Sequence, residues 1–351
     1  MAYTTIDDPS EYFTTTLYTG TSDDSVKTVT NDANVGDFKP DWLWIKARSG
    51  TYAARDHALY DSSRGATKRL ESNATDAEAT DSNNTFNTNG FTLTSNYSIN
   101  GPSTNHVAWQ WKANGGTTTT NDASATGIGN TDSVYQANTE AGFSIVTFSG
   151  TGSGMTVAHG LGGTPTLIIS KARNDTENWA VHTTLIDGSL DYLRLSETDA
   201  AGNSSFSLPT STVFGYNGSN NYIAYCFRSI QGYSKIGTYI GNGDGNNSAA
   251  DGTFVYTGFK PAWVMVKATT VAQGWNMFDN TRTPTNEMGA FLYANTADAE
   301  TTGYDSMDFL SNGFKLRKNL NGANDSGQTY VYMAFAENPF VSSKGVPTTA
   351  R

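Results

Sequence analysis

The sequence has a single cysteine, few charged side chains and no long apolar run. Cys226 is the only cysteine in 351 residues, which excludes an intrachain disulfide framework and a cysteine-based structural zinc site. Every apolar run falls far short of the roughly 20 residues that a membrane-spanning helix needs. The opening residues show no signal-peptide pattern. We therefore expect no membrane insertion and no export through a signal peptide.

Basic residues are scarce, whereas glycine and aromatic residues are plentiful. The chain has 22 Lys and Arg against 33 Asp and Glu, a net charge of −11, so nucleic acid is not an expected partner. The 35 glycines, together with many Thr, Asn and Ser residues, predict frequent turns and short strands. An aromatic share of 12% is enough to build a packed core, so we expect the chain to fold.

Three segments of the chain repeat one another. In each, a strand pattern enters through a proline and ends at a lysine, and a second strand pattern closes the repeat with an aromatic residue. A third strand pattern precedes each proline. We expect each lysine to extend its ammonium group to solvent at the strand end. The opening patterns are Pro40 to Lys46, Pro165 to Lys171 and Pro261 to Lys267; the closing ones are His106 to Trp111, Tyr222 to Phe227 and Tyr330 to Phe335.

Short strands separated by Gly, Asn, Asp and Ser clusters, with no sustained helical period, predict an all-β sandwich for each repeat. Two Asn-Gly pairs, Asn89-Gly90 and Asn312-Gly313, are expected to supply a positive φ before a strand. The predicted organisation is repeat 1 at 1–114, a linker at 115–138, repeat 2 at 139–230, repeat 3 at 231–341 and a C-terminal tail at 342–351.

The residues that could carry catalysis or bind metal are scattered. His182 with Asp187 could form an acid–base pair, but a structural histidine is favoured. The glycine-rich loop with Asp244 and Asp251 offers oxygen ligands for Ca²⁺, although its spacing misses the known loop pattern and a plain loop is favoured. No paired carboxylates of the kind used in glycoside hydrolysis stand out. We therefore predict no enzymatic activity and no cofactor.

Two further sequence patterns occur in both repeat 1 and repeat 3. Asp61 and Arg64 recur as Asp279 and Arg282, a spacing at which Asp caps a turn and Arg reaches back to it. A structural turn is favoured over a ligand site. The stretch 73–78 recurs at 295–300 and is expected to form a surface turn. The middle repeat has Asp187 but no matching arginine.

Tyrosines in polar loops are the candidates for ligand contact. Tyr97, Tyr216 and Tyr304 lie among Asn, Thr and Ser residues, the setting in which an aromatic ring stacks on a sugar face and amides bind its hydroxyls. The alternative is that these rings cover the bases of their loops. Both interpretations stay open from the sequence.

The segments 260–267, 309–317 and 332–340, with the opening residues 1–10 and the ending 343–347, resemble a known family. It is the repeated jelly-roll or concanavalin-like β-sandwich domain of virion proteins of tailed bacteriophages, many of them marine. The resemblance covers essentially the whole chain. It implies three tandem sandwiches of about 100 residues in a tail-fibre-like or receptor-binding protein, with no catalytic residue to carry over.

The resemblance and the composition together give three functional hypotheses. The first is a non-enzymatic phage virion protein of the tail or tail fibre, assembled in the bacterial cytoplasm, that presents loops to a host-surface receptor, chiefly a glycan. The second is a structural virion component that joins tail parts or decorates the capsid. The third is a glycan-degrading enzyme. The expected partners are other tail proteins, the host receptor and further copies of the chain, for example in a trimer.

Overall fold

The computed structural model describes residues 2–21, 25–32, 37–94, 96–243, 251–304, 306–317 and 322–348. The chain is 46% strand and 3% helical, which confirms the all-β prediction. No helix in the described ranges has the length and apolar character to cross a membrane.

Each repeat contains a large and a small antiparallel sheet. The large sheets have the strand orders β1-β9-β3-β4-β5-β6, β10-β11-β12-β19-β14-β15-β16-β17 and β20-β27-β22-β23-β24. The small sheets are β2-β8-β7, β13-β18 and β21-β26-β25. A 3₁₀ helix at Pro9–Glu11 precedes β1, and the two short α-helices are α1 (Tyr97–Asn100) and α2 (Ala123–Thr126).

The strand bounds are, in repeat 1, β1 (Phe13–Thr19), β2 (Lys27–Val29), β3 (Trp42–Gly50), β4 (Ala58–Asp61), β5 (Gly65–Leu70), β6 (Ala79–Thr80), β7 (Thr85–Phe86), β8 (Phe91–Leu93) and β9 (Thr104–Trp111). In repeat 2 they are β10 (Thr119–Asn121), β11 (Ser133–Asn138), β12 (Phe143–Ser149), β13 (Gly152–Ala158), β14 (Leu167–Ala172), β15 (Ala180–Thr183), β16 (Asp191–Arg194), β17 (Gly202–Asn203), β18 (Val213–Gly218) and β19 (Asn221–Phe227). In repeat 3 they are β20 (Ser234–Ile240), β21 (Phe254–Tyr256), β22 (Phe259–Ala268), β23 (Trp275–Asp279), β24 (Leu292–Tyr293), β25 (Met307–Leu310), β26 (Gly313–Leu316) and β27 (Thr329–Pro339).

The three repeated strand patterns take the same places in each large sheet. The proline-led strands are β3, β14 and β22, and each pairs with the closing strand β9, β19 or β27 of its own repeat. The strand that precedes them, β1, β12 or β20, pairs with the other side of the closing strand. The closing strand is therefore central and buried on both faces, which explains its continuous apolar and aromatic sequence.

Each large sheet packs against two cores. One face covers the small sheet of its own repeat, through clusters that include Phe91, Phe214 and Phe314 in repeats 1, 2 and 3. The opposite faces of all three large sheets meet in one shared core. There the closing aromatics meet: the ring of Phe335 lies 5.7 Å from that of Trp111 and 6.1 Å from that of Phe227. The repeats thus form sandwiches joined through a common aromatic centre.

The predicted linker at 115–138 is wrong, because it contains two strands of the large sheet of repeat 2. Strand β11 pairs with β12 along six residues, and β10 pairs with β11. Only residues around Gly115 and Gly116 connect the repeats without regular structure. A polar Thr-rich sequence suits this place because β10 is an edge strand.

Equivalent hydrogen bonds close the three repeats into a ring. The indole Nε1 of Trp179 donates to the Glu71 carbonyl of repeat 1 at 2.7 Å. The Nε1 of Trp275 donates to the Arg194 carbonyl of repeat 2 at 2.9 Å. At the corresponding position of repeat 1, His57 Nε2 lies 3.0 Å from the Tyr293 carbonyl of repeat 3. Each repeat therefore binds the one before it, and repeat 1 binds repeat 3.

The strand-end lysines are buried, contrary to the expectation of solvated ammonium groups. Lys46, Lys171 and Lys267 are at most 1% exposed, and each donates to the carbonyl of the following residue at 2.7–2.8 Å. Lys46 also binds the Ala297 carbonyl of repeat 3, and Lys267 binds the Thr198 carbonyl of repeat 2. Lys46 and Lys267 thus tie neighbouring repeats together through main-chain oxygens, whereas Lys171 binds carbonyl groups of its own repeat.

The two Asn-Gly glycines are needed for close approach of the backbone, and only one has the predicted positive φ. Gly90 has a φ of +93°, whereas Gly313 is not among the residues with positive φ. A Cβ at either position would lie 2.1 Å from a carbonyl oxygen, that of Val29 or Val255, in the neighbouring strand. Glycine is therefore required at both positions because the neighbouring strand leaves no room for a side chain.

Candidate functional site

Tyr97 belongs to an exposed aromatic cluster in repeat 1. Its ring centroid lies 4.3 Å from that of Tyr52, with an interplanar angle of 36°. The guanidinium carbon of Arg55 lies 5.6 Å from the Tyr52 centroid and 5.7 Å from the Tyr97 centroid, within cation–π range. Tyr97 is 38% exposed and Arg55 is exposed. We call these three residues the Tyr52–Arg55–Tyr97 cluster.

The surrounding backbone holds the cluster in place. The backbone N–H of Tyr52 donates to Thr104 Oγ1 at 3.1 Å, which joins the loop to strand β9. Tyr97 is the first residue of α1, and the Asn96 side chain caps that helix by accepting from the Ser98 N–H. The two rings are thus held from two different segments, the loop after β3 and helix α1, with the Arg55 guanidinium over both of them.

The other two tyrosine candidates differ from Tyr97. Tyr304 is 48% exposed and makes an edge contact with Phe291, whose centroid lies 6.0 Å away. Tyr216 is only 7% exposed, which corrects the expectation of a loop ring there. It lies on β18, where its hydroxyl is 3.1 Å from Ser170 Oγ, and burial raises its pKa. The three tyrosines stand on three different repeats, and the structure does not bring them into one site.

The candidate Ca²⁺ loop receives no support from the described residues. Asp244 lies outside them. Asp251 pairs with Lys315, whose hydrogen bond and positive charge lower the pKa of that carboxyl group. Across the described ranges, no group of three His, Cys, Asp or Glu side chains is arranged to hold a metal ion.

Repeat 3 has a groove of about 910 Å³ between its sheet ends. Its floor includes the buried side chains of Met288 and Phe309. Its one lining carboxylate, Glu337, pairs with Lys260 at 2.6 Å and accepts from the Asn280 amide at 2.7 Å. The groove lining comprises Lys260, Asn280, Thr283, Pro284, Thr285, Asn286, Met288, Phe309, Leu310, Ser311, Asn312, Glu337, Asn338 and Thr348.

The repeated Asp–Arg turn is structural, as its spacing predicted. Asp61 Oδ1 accepts from the Arg64 N–H at 2.8 Å, and Asp61 Oδ2 accepts from Arg64 Nε at 2.5 Å. Asp279 and Arg282 reproduce both bonds at the same distances. All four side chains are fully buried, so neither turn offers a surface ligand site.

These turns contact the next repeat in the ring. Asp61 accepts from the Tyr225 hydroxyl of repeat 2 at 2.7 Å, and Asp279 accepts from the Trp109 indole of repeat 1 at 3.0 Å. Arg64 also binds Glu78, which in turn pairs with Arg173 of repeat 2. The stretch 73–78 therefore contributes to the interface through Glu78, whose side chain is 9% exposed, while Asp76 and Ala77 remain exposed as in the expected surface turn.

At the interface of repeats 2 and 3, apolar side chains stand in the positions of these polar groups. Met333 of repeat 3 takes the strand position of Trp109 and Tyr225, and it has no hydrogen-bonding atom to offer a carboxylate. The facing part of repeat 2 supplies Leu185 and Ala201, which pack against the shared core. Repeat 2 therefore lacks the Asp and Arg at these turn positions, and repeat 3 lacks the hydrogen-bond donor that would face them.

One comparison with known proteins identifies a family. A family model described as a domain of unknown function, DUF7483, matches residues 8–339. The chain belongs to this family. The match runs through all three repeats, so the DUF7483 unit comprises the complete ring around the shared core. No curated protein and no solved structure matches the chain.

The histidines of this DUF7483 chain are buried. His182 is 6% exposed and packs against Phe206 and Tyr216, and burial lowers its pKa to about 4. Asp187, its hypothetical partner, instead accepts from Ser189 at 2.6–2.8 Å. The structure therefore does not bring this pair together.

Sequence reasoning missed Tyr52 and Arg55, the partners of Tyr97. They lie 45 and 42 residues before Tyr97 in the chain, and the contact exists only because β3 and β9 are paired in the sheet. The available signal was weak: an aromatic and a basic residue in the loop that follows a predicted strand.

Proposed function

We propose that this chain is a non-enzymatic virion protein of a bacteriophage tail or tail fibre that binds a glycan on the host surface. The virion assignment rests on the resemblance of the repeats to that protein class. The binding role rests on one observation, the exposed Tyr52–Arg55–Tyr97 cluster. Hydrogen bonds to Thr104 and Asn96 hold the loop and the helix that carry the cluster.

The chemistry of the cluster suits a sugar. Apolar faces of a pyranose pack on aromatic rings, and a guanidinium group donates hydrogen bonds to hydroxyl or carboxylate oxygens. Among the described residues, Arg55 contacts the two rings and forms no ion pair, so its N–H groups are able to donate to a ligand. A glycan that carries an acidic sugar would use both parts of the cluster.

The test measures binding of the labelled chain to host cells and to an array of bacterial glycans. We expect saturable binding that is lost after periodate oxidation of the cells and is weakened at least tenfold by Tyr97→Ala or Arg55→Ala. Tyr256→Ala is the matched control, because Tyr256 is 49% exposed but lies on β21 in another repeat. Tyr304→Ala tests the remaining tyrosine candidate separately. Binding that resists periodate and both cluster substitutions would refute the proposal.

A structural role in the virion is the second candidate, and exposed apolar side chains in repeat 3 favour it. Phe254 and Tyr256 point outward from the edge strand β21, and they are 45% and 49% exposed. Exposed apolar groups on a sheet edge suit contact with another protein. This role predicts stable association with a neighbouring virion protein and no glycan binding.

A further inference from the structure

The outer edge of the equivalent strands β1, β12 and β20 is covered differently in the three large sheets. In repeat 2, the outer edge of β12 is paired with β11. In repeat 3, the chain itself covers part of the outer edge of β20: Ile230 bridges Ser234, and the Ile236 N–H donates to Ser229 Oγ at 3.0 Å. In repeat 1, no strand of the described ranges pairs with the outer edge of β1.

The backbone groups on the open edge of β1 can be identified from the register. The bonds from the Lys112 N–H to the Tyr12 carbonyl and from the Gly20 N–H to the Thr104 carbonyl show that even-numbered positions bond to β9. Thr15, Leu17 and Thr19 therefore direct their N–H and C=O groups away from the sheet. No bond to these groups occurs within the described ranges.

The side chains of β1 do not protect this edge. The sequence Phe13 to Thr19 contains no charge and no proline, the devices that usually block strand addition. Leu17, the fifth of the seven residues of the strand, is 37% exposed. The edge is seven residues long, the same length as β12, which does carry an added strand.

In repeat 2, the strand added to the equivalent edge also contacts the turn of the preceding repeat. In repeat 2, Gln136 of β11 stands opposite Ile145 and donates to Ser62 Oγ and Ser63 Oγ of the repeat 1 turn, both at 2.7 Å. Strand β11 thus fills the space between β12 and the Asp61 turn of the preceding repeat.

The equivalent turn beside β1 is the one that begins at Asp279. It reaches repeat 1 through Trp109, which is paired with Thr15 of β1. Asn280 follows Asp279 as Ser62 follows Asp61, and Asn280 lines the groove of repeat 3. At the interface of repeats 3 and 1, the open edge of β1 and the turn at Asp279 therefore correspond to the strand edge and the turn between which β11 lies at the interface of repeats 1 and 2.

We infer that the edge of β1 and the adjoining turn at 279–283 form an acceptor site for a β-hairpin donated by another polypeptide. The donor has the chemistry of β10 and β11: an uncharged extended strand with an amide side chain opposite Thr15 that reaches the turn at Asn280. The strand adds to the sheet through main-chain hydrogen bonds, and the turn selects its side chain. This inference is independent of the proposed glycan site.

The probe is a fluorescent peptide with the sequence of residues 117–138, which includes both strands of the hairpin that fills the equivalent site. Its binding to the full chain is measured by fluorescence anisotropy. We expect saturable binding that Leu17→Lys weakens at least tenfold, because a lysine there repels strand addition. Leu17→Pro removes one outward N–H without breaking a bond to β9, and we expect the same loss.

Two controls make the result specific. Leu208→Lys places the same charge on an apolar residue of another repeat that is 55% exposed, and it leaves peptide binding unchanged. A peptide with alanine in place of Gln136 binds more weakly than the parent peptide. Thermal unfolding of each variant shows that the chain remains folded.

Three results would overturn the inference. The first is the absence of saturable binding to the unsubstituted chain. The second is binding that Leu17→Lys and Leu17→Pro leave unchanged, which would mean that the peptide exchanges with β11 or binds elsewhere. The third is a dimer of the chain that Leu17→Lys dissociates, without peptide binding, which would make a second copy the occupant.

Discussion

Removal of the Asp61 carboxylate tests how the repeats are held together. Both oxygens of Asp61 are buried and accept three bonds, from the Arg64 N–H, from Arg64 Nε and from the Tyr225 hydroxyl. Asp61→Ala leaves the fully buried guanidinium of Arg64 without its closest anion, although Glu78 remains 3.0 Å away. Breaking one partner of a buried ion pair costs about 3–5 kcal/mol, and we expect a loss of unfolding free energy in this range.

The interface of repeats 2 and 3 suggests a second experiment, in which both charges are removed together. Repeat 2 has Thr183 and Ile186 at the positions of Asp61 and Arg64, and no buried charge is required there. The double variant Asp61→Thr/Arg64→Ile copies this arrangement and removes both charges, while Glu78 keeps its bond to Arg173. We expect the double variant to be more stable than the sum of the single losses predicts, by at least about 2 kcal/mol.

Urea unfolding followed by tryptophan fluorescence measures these differences. Asp199→Ala serves as the control, because the Arg194–Asp199 pair is exposed, with side chains 38% and 53% accessible, and such pairs contribute at most about 1 kcal/mol. A loss below about 1 kcal/mol for Asp61→Ala would refute the argument that the buried pair depends on both partners. Additive losses in the double variant would refute the proposed role of uncompensated charge.

Three other predictions follow from the packing. Burial lowers the pKa of His106, His159 and His182 to about 4, so below the unfolded value of 6.5 the unfolded chain binds protons that the folded chain does not. The contribution of these histidines to the unfolding free energy is therefore fully present above pH 6.5 and falls between pH 6.5 and 4, by about 2 kcal/mol for each histidine at pH 5, and urea titrations at pH 7 and pH 5 check this. Trp275→Phe leaves the Arg194 carbonyl without its indole donor and lowers stability by about 1–3 kcal/mol or more, whereas an unchanged midpoint would contradict the ring of inter-repeat bonds. Gly313→Ala places a Cβ 2.1 Å from the Val255 oxygen and costs more than about 2 kcal/mol, whereas Gly289→Ala, whose nearest neighbour is 3.6 Å away, changes stability little; calorimetry compares the two.

Local chemistry was predictable from the sequence wherever partners are close in the chain. The Asp61–Arg64 turn follows from its three-residue spacing, and the strands that begin at proline follow from the backbone of proline and the apolar run behind it. The strand patterns before and after them were likewise confirmed. The buried lysines were misjudged because their carbonyl acceptors include residues of another repeat. The Tyr52–Arg55–Tyr97 cluster was only partly anticipated because Tyr97 lies more than 40 residues from its two partners in the chain.

The sequence by itself determined the all-β class, the recurrence of the strand patterns and the Asp–Arg turns, because each of these patterns is made of residues close together in the chain. Only the tertiary structure decided that the large sheets share one aromatic core, that 115–138 adds strands to repeat 2 and that the edge of β1 stays open. These features depend on which faces and edges of distant strands meet. A strand pattern specifies its two faces, but it does not specify what covers the second one.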